Sequence, residues 1–143
     1  MTRRLLLIAL IAFAVGLDAT AKAEEVVAVV SAKSPITSLN ASQVADIFLG
    51  KTSRFPDGSE AVPIDQAEES RARDRFYAAF TGKSPAQVKA HWAKIIFTGR
   101  GQPPRQVSNS AEARKLVAAN PNAIGYIDAS LVDDSVRVLA LAK

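Results

Sequence analysis

The order of apolar and polar positions along the chain predicts strands that alternate with helices. Four runs rich in apolar residues predict short buried strands, at residues 25–31, 61–65, 124–128 and 136–141. Between them, apolar residues recur at helical spacing in four segments. This alternation is typical of an α/β fold, with a central, mainly parallel sheet flanked by helices.

Polar capping residues indicate where the four helices begin. Ser84, Pro85 and Gln87 give the clearest start, because they combine an N-cap, a proline at the first helical position and a reciprocal partner. The other predicted starts are Asn40, a residue near Ser70, and Asn109, and the predicted ends are near residues 50, 82, 99 and 120. Residues 100–108 contain two prolines and are predicted to form a loop.

The first 23 residues have the pattern of a cleavable signal peptide. Arg3 and Arg4 precede an apolar run over residues 5–17, and residues 21–23, Ala-Lys-Ala, have the small-x-small pattern of a cleavage site. The run is shorter than the roughly 20 residues that a membrane-spanning helix needs, although an uncleaved anchor is the alternative. We therefore expect cleavage after Ala23, a periplasmic domain of residues 24–143, and no stable membrane insertion after cleavage.

The charge of the predicted mature domain is mild. The whole chain has a net charge of +4, and residues 1–23 account for three basic residues and one acidic residue, which leaves 15 basic and 13 acidic. Nucleic-acid binding normally needs a clustered basic face, so we expect no nucleic-acid partner. The chain has no cysteine, which excludes both a disulfide and lipid attachment to an N-terminal cysteine.

Two segments resemble motifs of the periplasmic phosphate-binding proteins of ABC transporters. Residues 39–51, LNASQVADIFLGK, resemble the family's pattern L-x-x-x-Q-[LV]-x-D-I-[FY]-x-G-K. Residues 123–129, AIGYIDA, resemble its G-A-I-G-Y-[VI] strand near the end of the second lobe. The predicted strand and turn at residues 61–76 occupy the place of the family's anion-binding turn, so three segments match in order.

The resemblance implies a single lobe of the type II periplasmic-binding-protein fold. Proteins of that fold have two α/β lobes that close over a ligand, and the roughly 120 residues after Ala23 are enough for one lobe. The resemblance also implies a solute-binding protein related to ABC-type phosphate transport, with phosphate or another oxyanion as its ligand. A homodimer or an envelope protein could supply the second wall of the site.

The predicted anion site follows from the family's turn, which reads roughly Arg-x-x-x-Ser-Gly-Thr. Aligned on the serine, the turn places Gln66 at the arginine, and Ser70, Arg71 and Ala72 at the Ser-Gly-Thr positions. The serine is kept, and Arg71 brings a guanidinium group in place of the glycine. Unpaired N–H groups at a helix start attract anions with little help from side chains.

The same turn also has a purely structural interpretation. Glu68 and Glu69 would then be first-turn acids that satisfy the helix dipole, Ser70 would be a cap, and the neighbouring arginines would form a solvated face. Two carboxylates beside a phosphate would oppose its binding. The sequence leaves both interpretations open.

A second candidate site is the loop that follows the third predicted helix. Gly99, Arg100, Gly101 and Arg105 could form a backbone nest that holds an anion between two guanidinium groups. Alternatively, Gly99 only ends the helix and the Pro-Pro sequence is an extended linker. The exposed loop could equally contact a partner protein.

The sequence predicts neither a catalytic site nor a metal site. His91 is the one histidine of the chain and, without any cysteine, it offers no metal-ligand cluster. The glycine patterns of nucleotide-binding loops are missing, so we expect no cofactor. We therefore expect a non-enzymatic protein that binds an oxyanion weakly. The alternative is a periplasmic protein–protein interaction module that has lost ligand binding.

Overall fold

The computed structural model describes residues 25–141, with the backbone alone for residues 140 and 141. The predicted signal peptide, residues 1–23, lies outside the described residues. The strands are β1 (Val26–Ser31), β2 (Ser38–Leu39), β3 (Val62–Gln66), β4 (Arg105–Val107), β5 (Ala123–Asp128), β6 (Val136–Val138) and β7 (Ala140–Leu141). The helices are α1 (Ala41–Phe48), α2 (Arg71–Thr81), α3 (Pro85–Phe97) and α4 (Ser110–Ala119), and a 3-10 turn spans Ala129–Leu131.

Five of the strands form one mixed sheet, in the order β4-β3-β5-β1-β6. β3 pairs in parallel with β4 and with β5, whereas β1 pairs antiparallel with β5 and with β6. Four strands therefore run in one direction and β1 runs against them. β2 and β7 form a separate parallel pair. The predicted α/β fold is confirmed.

The helix starts agree with the sequence, because the capping side chains form the predicted bonds. Asn40, Ser70, Ser84 and Asn109 are the N-caps of the four helices, and each accepts a hydrogen bond from the amide three residues later. Asn40 and Ser84 also form the reciprocal bond of a capping box.

The short strands differ from the prediction. β4 lies inside the segment that was predicted to be a loop, where it pairs with β3 as an edge strand. The predicted strand at residues 136–141 is divided, because its first half pairs with β1 and its second half with β2. β2, β4 and β7 have only two or three residues, and their partners are distant in sequence, so local patterns do not reveal them.

Helices cover both faces of the sheet. On one face, α1, α2 and α3 bury a cluster that includes Phe48, Phe76 and Tyr126, and on the other face α4 packs Val117 over β3 and β5. The described members of both clusters lie between Val26 and Leu139, so we expect a domain that begins at Glu24 to keep this core. None of the helices within residues 25–141 is long and apolar enough to cross a bilayer.

Candidate functional site

A surface cleft of about 370 Å³ lies where the β3–α2 turn meets the start of α4. β3, β4 and β5 are parallel, so the turns that follow them meet at one edge of the sheet. The cleft is lined by Gln66, Ser70, Arg71, Ala72, Arg75, Ser108, Asn109, Ser110 and Asp128. The four residues of the predicted anion turn thus lie together at this cleft.

Two helices begin at the cleft. The Ser70 hydroxyl caps α2 by accepting from the Arg73 N–H at 3.3 Å, and the Asn109 side chain caps α4 by accepting from the Glu112 N–H at 3.0 Å. The first two amides of each helix have no acceptor among the described residues. The partial positive charges of two helix starts therefore act on the same cleft.

Gln66 forms the floor of the cleft and connects the two helix starts. Its side chain is fully buried, and its Nε2 donates to Ser110 Oγ at 3.1 Å and to the Tyr126 carbonyl at 2.9 Å. Its Oε1 accepts from the Ser70 hydroxyl at 2.6 Å. Both amide hydrogens are used within the protein, so Gln66 positions the helix starts instead of presenting a side-chain donor to a ligand.

The Asp65 carboxylate is the centre of a buried polar network behind Gln66. It accepts from the hydroxyls of Tyr77, at 2.6 Å, and of Tyr126, and from the Gln66 N–H at 2.8 Å. The Arg73 guanidinium lies 3.5 Å from the same carboxylate and donates to the Gln66 carbonyl at 2.9 Å. Burial, followed by the negative charge of Asp65, raises the pKa of both tyrosines.

This network corrects one part of the purely structural interpretation of the turn. That interpretation places the arginines of α2 on a solvated face, but Arg73 is buried and bonded to the end of β3. A buried carboxylate requires a partner of opposite charge, and Arg73 lies on the inner side of α2, opposite Asp65. Arg73 therefore stabilises the turn and is not part of the cleft lining.

The charges that do line the cleft are of both signs. Arg71 is exposed at the first position of α2, and Arg75 is half-buried one turn later. Among the described residues that line the cleft, Asp128 is the one with an acidic side chain. Glu68 and Glu69 do not line it. Because α2 begins at Arg71, they precede the helix, whereas the purely structural interpretation placed them in its first turn.

Gly99 and Arg100, the first two candidate residues of the loop after α3, follow the helix-ending interpretation and not the anion-nest interpretation. Gly99, with a φ of 68°, donates its N–H to the Ile96 carbonyl at 3.1 Å, and Arg100 donates to the Ile95 carbonyl at 3.1 Å. These two bonds are those of a Schellman helix end, so both amides are used by α3. Arg105 begins β4 and lines a different cleft, of about 310 Å³. Gly99 thus ends α3, which is the role that the helix-ending interpretation of this loop gave it.

Sequence reasoning missed the contribution of α4 to the cleft. The N-cap at Asn109 was recognised, but its position beside the start of α2 depends on β4 and β5 lying on either side of β3. Asp128 reaches the cleft because it ends β5, next to β3. Knowledge of the strand order would have identified these residues, and the sequence does not reveal that order.

The fold is similar to known solved structures of one class, the substrate-binding proteins of transporters. A protein described as a phosphate ABC transporter substrate-binding protein from Clostridium perfringens, with bound phosphate, has a TM-score of 0.64 and 26% sequence identity. An ABC-type phosphate transport receptor from Vibrio cholerae has a TM-score of 0.62 and 20% identity. No protein-family model matches the chain.

These similarities cover most of the length of this chain but less than half of the length of each of the two solved structures. They span 81% of this chain in both comparisons, against 44% of the Clostridium perfringens protein and 45% of the Vibrio cholerae protein. The chain therefore has the fold of one lobe of the phosphate ABC transporter substrate-binding proteins. The resemblance stated from the sequence motifs is confirmed.

Proposed function

We propose that the domain binds an inorganic oxyanion, with phosphate as the first choice, in the cleft at the starts of α2 and α4. The observation that supports this most is the meeting of two helix starts beside the guanidinium of Arg71, each with two amides that have no acceptor within residues 25–141. The fold is shared with a protein whose structure contains bound phosphate, which makes phosphate the natural first ligand.

The chemistry of the lining defines a role for each group. The backbone amides of Arg71 and Ala72 would donate to the oxyanion, and the Arg71 guanidinium would balance its charge. The Ser70 hydroxyl already donates its proton to Gln66 Oε1, so it would not donate to the anion. Ser70 would contribute by capping α2 and so fixing the position of the helix start. Asp128 disfavours a fully ionised anion but can accept a hydrogen bond from a protonated one. We therefore expect hydrogen phosphate to bind better than sulfate.

A thermal-shift titration tests the proposal. Millimolar phosphate should raise the melting temperature of the domain from Glu24, because a ligand that binds only the folded state stabilises that state. Arg71→Glu should abolish the shift, since it replaces the guanidinium with a carboxylate. An acid in the first turn also suits the helix dipole, so the variant should remain folded without ligand.

The control variant is Lys33→Glu, which reverses an exposed charge outside the cleft and should keep the phosphate shift. A shift that survives in Arg71→Glu would contradict the assigned site. Silence with both phosphate and sulfate would contradict oxyanion binding. It would instead favour the alternative function, an interaction module that docks onto an envelope protein or a second copy of the chain.

We also propose that residues 1–23 are cleaved and that the domain works in the periplasm as a non-enzymatic binding protein. The similar structures are those of substrate-binding transport proteins, which supports this role. Mass spectrometry of the protein recovered from a periplasmic fraction should show an N-terminus at Glu24. A full-length chain retained in the membrane fraction would contradict cleavage.

A further inference from the structure

The end of α3 carries an apolar tip that the fold leaves uncovered. Phe97 is 92% exposed and Ile96 is 54% exposed, which makes them the two most exposed large apolar side chains of the described residues. α3 contacts the core along one side only, where Val88 and Trp92 are its buried residues. We use "α3 tip" for Ile96 and Phe97 together with the exposed Lys94 and Arg100 that flank them.

The α3 tip lies in a strongly biased part of the sequence. Between Asp74 and Glu112, residues 75–111 contain six lysines and arginines and no acidic residue. Lys94 precedes Phe97 by three positions, so the two side chains are neighbours on the helix surface. Within residues 25–141, neither Lys94 nor Arg100 has an ion-pair partner. The mild net charge of the domain therefore conceals a local excess of positive charge.

We propose that the α3 tip binds reversibly to the surface of a bilayer that contains anionic phospholipid. In this arrangement Phe97 and Ile96 enter the boundary between headgroups and acyl chains, and Lys94 and Arg100 remain at the level of the lipid phosphates. The protein would bind at the membrane surface only, so the proposal needs no helix long enough to span the membrane.

The shape and charge of the α3 tip favour a lipid surface over other occupants. Phe97 protrudes, so a protein partner would have to supply a matching pocket, whereas a bilayer receives such a side chain without shape complementarity. A second copy of the chain that docked through its own α3 tip would bring Lys94 and Arg100 against the same positive charges. Nucleic acid would attract Lys94 and Arg100 but would leave the aliphatic Ile96 without an apolar partner.

A fluorescent probe next to Phe97 tests the proposal directly. The chain has no cysteine, so Thr98→Cys provides a unique attachment point for an environment-sensitive dye, and Ser130→Cys provides an exposed control point. The domain from Glu24 is used, because the apolar residues 5–17 would themselves enter lipid. Vesicles of phosphatidylcholine and phosphatidylglycerol in equal amounts should shift the emission of the dye at residue 98 to the blue. Pure phosphatidylcholine vesicles should shift it much less.

Variants separate the apolar and the electrostatic contributions. Phe97→Ser should lower partitioning into the anionic vesicles by about tenfold, since the loss of one large buried side chain has that effect. Lys94→Gln combined with Arg100→Gln should lower it by a further factor of about ten, and high salt should act like this pair. Val138→Ser, and Lys33→Gln combined with Lys115→Gln, are matched exposed controls and should leave partitioning unchanged.

Every substituted side chain is solvent-exposed, so we expect all variants to remain folded. Their melting temperatures check this expectation. The proposal is overturned if the dye at residue 98 does not respond to the anionic vesicles, or if the dye at residue 130 responds instead. Partitioning that is indifferent to Phe97→Ser would also overturn it. Binding to polyglutamate without binding to vesicles would do the same, and would assign the α3 tip to an acidic protein partner.

Discussion

Asp65, Gln66 and Arg73 are buried polar residues beneath the cleft, and each is bonded within the fold. Together they attach the end of β3 to the first turn of α2 and, through Ser110, to the start of α4. Buried polar groups that are fully paired specify one geometry, because every alternative arrangement leaves an unsatisfied group. The position of the amides proposed to bind an anion therefore depends on side chains that do not themselves present donors to the cleft.

Gln66→Leu tests this dependence. The substitution keeps the approximate volume but removes the hydrogen bonds of the Gln66 side chain to the Tyr126 carbonyl and to the hydroxyls of Ser70 and Ser110. We expect the free energy of unfolding to fall by about 3 kcal/mol, measured by denaturant titration. Gln106→Leu, at an exposed position of β4, is the control and should change it by less than about 0.5 kcal/mol. Equal effects of the two variants would refute the role of Gln66.

The two tyrosines predict a dependence of stability on alkaline pH. The chain contains only Tyr77 and Tyr126, and both donate to Asp65. Their pKa values in the folded state are raised above the ordinary value of 10.0. Below pH 10 both states keep the phenol protons, and above it the unfolded state loses them first. The free energy of unfolding should therefore fall above pH 10, by up to about 1.4 kcal/mol per pH unit for each tyrosine.

Tyrosinate absorbance and circular dichroism, followed together, check this prediction. Tyrosinate should appear only as the domain unfolds. Tyr77→Phe should reduce the dependence of stability on pH, because one of the two titrating groups is removed. Tyrosinate that forms near pH 10 while the circular dichroism remains native would show that the hydroxyls are accessible.

At the scale of elements, α4 packs unusually close to the sheet. A Cβ atom on Gly125 of β5 would lie 2.8 Å from Val117 Cγ2 and 3.6 Å from the Ile64 carbonyl oxygen. The glycine thus permits the close approach of α4 that brings its start to the cleft. The requirement is steric, and Gly125 does not have a positive φ.

A double-mutant cycle tests this contact. Gly125→Ala should lower the free energy of unfolding by about 2 kcal/mol through overpacking, and Val117→Ala by a similar amount through a cavity. Together they should lower it by about 1 kcal/mol less than the sum, because the smaller side chain leaves room for the new methyl group. Gly125→Ala with Val88→Ala, which lies in the other hydrophobic cluster, should be additive. Additivity in both pairs would contradict the close contact.

Local signals predicted most of the elements and only part of the site. Each helix start carries its own capping residue, so the four helices were predictable from a few adjacent positions. β4 has no such signal, because its pairing with β3 joins residues about 40 positions apart. The burial of Arg73 was equally unpredictable from local sequence, since a charged residue becomes buried only when a specific partner, here Asp65, lies opposite it.

At the scale of the whole molecule, the similarity spans 81% of this chain but only 44% and 45% of the two solved structures, so this chain has less than half of their length to form the proposed site. The cleft is open, and a ligand in it would keep much of its surface in water. Pocketed ligands normally have most of their surface buried, and water weakens the attraction between the helix starts and an anion. Phosphate binding by the monomer should consequently be weak.

Isothermal titration at several protein concentrations measures this affinity. For the monomer we expect a dissociation constant of about 1 mM, equivalent to roughly −4 kcal/mol, and a further loss of affinity in high salt. If a second copy supplies the missing wall, the affinity should rise with protein concentration together with a dimer that is visible by sedimentation. Micromolar binding by a protein that remains monomeric would show that one lobe is sufficient. In that case the two helix starts and Arg71 would hold the anion far more strongly than an open cleft allows.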